Sequence, residues 1–68
     1  MAIKHHSTQH HLDAAEQHTQ AAKHHYLAAL HHEAGDHEQA KEQANIAHEH
    51  GMNAHKRTSK ANEASHEP

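Results

Sequence analysis

With 68 residues, fourteen histidines, a single aromatic residue and no cysteine, the chain is bounded to one small domain, 1–68, that no disulfide can staple. A formal net charge of −3 with neutral imidazoles excludes the basic footprint of a nucleic-acid binder. No apolar run approaches the roughly 20 residues of a membrane span, and none resembles the h-region of a signal peptide, so a cytoplasmic protein is expected.

Bulky apolar residues are few: Met1, Ile3, Leu12, Tyr26, Leu27, Leu30, Ile46 and Met52. A domain this small with so little to bury is expected to lean on self-association, bound metal or both. Histidine also makes the charge depend on pH. Below the usual imidazole pKa of roughly 6.5 the chain gains up to fourteen positive charges.

In chain order, residues 1–6 form a lead expected to fray. Ser7 or Thr8 can cap a helix, and from there to Ala34 the chain has neither Gly nor Pro while Ala, Gln, Glu, Lys and Leu dominate. A first helix is expected over about residues 8–34. Gly35 suits a left-handed C′ position, and Asp36 with Gln39 resembles a capping box that starts a second helix over about 37–62. Small residues at Ala40, Ala44, Ala47, Gly51, Ala54, Thr58, Ala61 and Ser65 alternate steps of four and three, a seam that carries the helix through Gly51. Residues 63–68, closed by Pro68, read as a loose tail. The fold class is all-α, an antiparallel helical hairpin.

His11, His18, His25 and His32 recur every seven residues and share a face of the first helix with most of Ala14, Ala15, Ala21, Ala22, Ala28 and Ala29. Read as the inward face, this column sets His32 opposite Ala40, His25 opposite Ala47, His18 opposite Ala54 and His11 opposite Ala61. His37, His48 and His55 lie at the edge of the second-helix seam. That register brings His32 near His37, His25 near His48 and His18 near His55.

Leu27, Ala28, Gly35, Asp36, Ala40 and Ala47 fall where a tetratricopeptide-type hairpin places its Leu and small residues, so residues 21–54 resemble one such unit. His24, His31 and His37, or Ala44, replace its aromatic positions, and Met52 replaces its closing Pro. The resemblance implies hairpin geometry. With Ala21-Ala22, His24-His25 and Ala28-Ala29 before the Gly35-Asp36 turn, the chain as a whole resembles small bacterial proteins rich in Ala and His, of unsettled activity. That resemblance implies a helical hairpin with metal affinity.

Leu12, Tyr26 and Leu30 fall on the side of the first helix away from the column, with Leu27 nearby, and Ile46 is displaced from the second seam. Two copies would bury such residues as a homodimeric four-helix bundle. Neutral imidazole is a strong ligand for Cu, Zn and Ni ions. Heptad neighbours lie about 10 Å apart along a helix, too far to share an ion, so ligands are expected from facing helices. The expected metal ligands are His11, His18, His25, His32, His37, His48 and His55, with His10, His24, His31 and His50 as outer candidates. His48 with Met52 offers an N/S pair suited to Cu(I).

The expected function is a cytoplasmic transition-metal buffer, store or carrier. The alternative is a metal-independent, pH-responsive assembly protein whose buried histidines form a structural core; a third reading is bis-His haem ligation. There is no Cys nucleophile, Gly-rich phosphate loop or HExxH motif, so an enzyme is not expected.

Overall fold

The computed structural model describes His5 and residues 7–66. Two helices, α1 (Ser7–Glu33) and α2 (His37–Ser65), pack against each other as an all-α hairpin. The molecule measures 51 × 23 × 11 Å, so it is a ribbon one helix thick with two broad faces.

Both ends of α1 fall within a residue of expectation. The anticipated caps, Ser7 and Thr8, are themselves helical. His5 supplies the acceptors: its carbonyl takes the Thr8 N–H at 2.9 Å, and its Nδ1 takes the Ser7 N–H at 3.1 Å and the Ser7 hydroxyl at 2.8 Å. The rest of the expected frayed lead lies outside the described residues.

The turn serves two helices with few residues. Gly35 adopts φ +81°, its N–H donates to the His32 carbonyl at 3.0 Å, and the Asp36 N–H donates to His31 at 2.8 Å. That is a Schellman C-cap for α1. Asp36 is also the N-cap of α2, its carboxylate accepting the Gln39 N–H at 3.3 Å. Because the Asp36 N–H is already taken by His31, only half of a capping box forms.

The second helix runs unbroken through Gly51 and continues three residues beyond the expected end at 62. The tail reading of 63–68 is therefore corrected for residues 63–65. Ala61 and Ala64 are buried, and the Ser65 hydroxyl donates to the Ala61 carbonyl at 2.8 Å, which ties the last turn down. Residues 67 and 68 lie outside the described residues.

The interior is alanine. Ala40, Ala47, Ala54 and Ala61 of α2 are wholly buried, and Ala14, Ala21 and Ala28 of α1, with Ser7, complete the buried line. Here the expected register is corrected. The inward line of α1 passes through Ser7, Ala14, Ala21 and Ala28, one helical turn before the heptad histidines, and His11, His18, His25 and His32 are exposed at its edge. A buried imidazole needs partners for both nitrogens, whereas Ala on Ala needs none and lets the backbones approach closely. The histidines gain by moving to the rim. There His11 and His18 meet the hydroxyls of Ser65 and Thr58 instead of Ala61 and Ala54.

Candidate functional site

Adjacent residues on a helix point about 100° apart. Each doublet of α1, His10-His11, His24-His25 and His31-His32, therefore straddles the alanine line and sends one imidazole to each face of the ribbon. Both faces carry histidine, but in different surroundings.

One face gathers six of the expected ligands, and His55 stands at its outer edge, where it borders both the His25 cleft and a second pocket with His10, Asp13 and Arg57. His11 Nε2 lies 2.6 Å from Ser65 Oγ; that hydroxyl already donates to the Ala61 carbonyl, so the imidazole N–H is the donor. His18 Nε2 shares a hydrogen bond of 3.1 Å with Thr58 Oγ1. His32 and His37 meet Nδ1 to Nδ1 at 2.8 Å, ring centroids 5.1 Å apart. In that hydrogen bond one Nδ1 donates and the other accepts. Between these ends, His25, His48 and His55 line a cleft of about 490 Å³ with Met52 and Lys56, floored by Ala47 and Gly51.

The three pairings expected from sequence thus fare differently. His32 does meet His37, and His25 shares a cleft with His48. His18 bonds Thr58 rather than His55, which lines the His25 cleft instead.

The opposite face is a ladder of cross-helix rungs. His31 Nδ1 stands 3.8 Å from Asp36 Oδ2, His24 Nδ1 donates to Gln43 Oε1 at 2.6 Å, His50 Nδ1 donates to Gln17 Oε1 at 2.8 Å, and Arg57 pairs with Asp13 at 3.4 Å. His24 and His50 also stack, centroids 5.6 Å apart and planes 7° from parallel. The glutamine carbonyls accept from Nδ1 of both rings and hold each imidazole in place. Parallel rings at that spacing do not aim two lone pairs at one ion, so we read this quartet as a lock on helix register.

Sequence reasoning ranked His24 and His50 among the outer candidates and missed Gln17 and Gln43. The signal was present. Ala14, Glu16, Gln17, Ala21, His24 and Ala28 recur 26 residues later as Ala40, Glu42, Gln43, Ala47, His50 and Ala54. Across an antiparallel pair such a repeat produces an approximate two-fold axis, which is why the two His–Gln rungs mirror each other.

Among the described residues, no three His, Asp or Glu side chains are already gathered around one point that suits a metal ion. No helix among the described residues is long and apolar enough to cross a membrane. Compared with family models, curated proteins and solved structures, the chain matches none of them.

Proposed function

We propose that the chain is a transition-metal-binding helical hairpin, acting as a buffer, store or carrier of Cu, Zn or Ni, that works as a homodimer. The observation that carries the reading is the placement of His11, His18, His25, His32, His37 and His48 on a single exposed face, with His55 at its edge, interleaved with Ala, Gly, Ser and Thr. A structural core would have buried those rings, yet none of the described histidines is buried. Haem ligation finds little support, because the helices meet on alanine, a seam too narrow to hold a macrocycle.

Pairing of hairpins supplies what one hairpin lacks. Two copies packed through Leu12, Tyr26 and Leu30 would bury the exposed apolar side chains and leave the histidine faces open to ions. Calorimetric titration of metal-stripped protein with Zn²⁺, Cu²⁺ and Ni²⁺, alongside its mass in solution, tests the reading. Tight binding with a small whole number of ions per dimer supports it. Weak binding of many ions to an already folded dimer returns the histidines to an architectural role.

A further inference from the structure

Gly51 stands in the interior of the 29-residue helix α2, where glycine is less favourable than alanine. The hairpin does not require it, since a Cβ there would meet nothing within 4 Å. Leaving the Cβ out deepens the floor of the cleft lined by His25, His48, Met52 and His55. Met52 is unusual in its own way. It is 50% exposed, on a different helix from Leu12, Tyr26 and Leu30, so neither the alanine interior nor that apolar strip accounts for it.

We infer that this cleft is a copper(I) site, with His25, His48 and Met52 as ligands and His55 at its lip, an assignment that rests on the metal-binding reading above. His48 and Met52 are one helical turn apart and project to the same side, while His25 reaches in from α1. Thioether sulfur with imidazole nitrogen is a soft donor set that selects Cu(I), an ion content with a low coordination number. No carboxylate is among the lining residues, so hard oxygen-seeking cations find nothing there. The one cation at the lip, Lys56, repels a divalent ion twice as strongly as a univalent one. The Met52 sulfur supplies the third donor beside the two imidazoles.

The test is an anaerobic titration of the full metal-free chain with Cu(I) against a chromogenic Cu(I) chelator, with X-ray absorption at the copper edge and a parallel Zn²⁺ titration. The expected result is a copper–sulfur scatterer in the wild type. Met52→Leu, which keeps volume at an exposed position, should lose that scatterer and roughly tenfold or more of its Cu(I) affinity while Zn²⁺ affinity holds. Gly51→Val, which fills the floor, should weaken Cu(I) in the same direction. Cu(I) binding without sulfur, or with equal affinity in Met52→Leu, overturns the site and leaves the metal-binding reading standing. A wild type that binds neither ion overturns both.

Discussion

The imidazoles of His24 and His50 lie parallel across the helix pair, 5.6 Å apart at their centroids and inclined by 7°, and each is held by a glutamine of the opposite helix. A half-buried hydrogen bond contributes about 0.5–1.5 kcal/mol and an aromatic pair a comparable amount. His24→Ala and His50→Ala should therefore each destabilise the fold by about 1–2 kcal/mol in urea unfolding. Each single change also breaks the shared stack, so the double variant should lose about 0.5–1 kcal/mol less than the sum. Strict additivity would mean that the stack contributes nothing.

The two glycines should respond to alanine in opposite directions. Gly35 holds φ +81° at the centre of the Schellman turn, a conformation that costs an L side chain roughly 1–2 kcal/mol. Gly51 is helical with open space above it, so Gly51→Ala should stabilise the chain by about 0.5–1 kcal/mol. Thermal melts of the two variants separate these cases, and a loss of stability in Gly51→Ala would mean that something covers that surface in solution.

Much of the hairpin was legible because helix signals are local. The run without Gly or Pro to Ala34, Gly35 for the left-handed turn and Asp36 as a cap are written within a few residues of each other. Register was not legible, since a heptad of His and a heptad of Ala sit one turn apart on α1 and periodicity alone does not say which faces inward. Cost decides it: Ser7, Ala14, Ala21 and Ala28 can be buried without leaving a polar ring unpartnered, and His11, His18, His25 and His32 cannot. Six of the candidate ligands were still chosen on one face, because that choice rested on their mutual spacing rather than on what they face. Gln17 and Gln43 escaped notice because an amide on a helix reads as solvated surface until its partner across the ribbon is known.

The alanine line should tolerate no enlargement. Ala47 is wholly buried where the helices meet, so Ala47→Leu has to push the backbones apart, at a cost of about 1–3 kcal/mol or more. Glu49→Ala, on the exposed outer side of α2, should change stability by no more than about 0.5 kcal/mol. Chemical denaturation of both variants checks the contrast. A silent Ala47→Leu would show that the helices are not in the close contact described.

Folding and association should prove inseparable. Every buried hydrophobic residue in the hairpin is an alanine, whereas Leu12, Tyr26 and Leu30 are 53%, 66% and 43% exposed. Alanine burial removes little apolar surface, and chains this short are marginal even with larger core residues. The side chains with most to gain from leaving water are thus those on the outer side of α1, and only a second molecule can cover them. The metal-free protein should accordingly melt at a temperature that rises with concentration, the signature of linked dimer formation. Tyr26→Glu with Leu30→Glu should abolish the dimer and much of the helicity, whereas Ala44→Glu on the histidine face should leave a metal-free dimer intact. Sedimentation with circular dichroism across a hundredfold range of concentration, on the order that linkage requires, reads both quantities. If Ala44→Glu dissociates the dimer and the Tyr26 and Leu30 changes do not, the copies meet through their histidine faces. The apolar strip would then be left open for another partner.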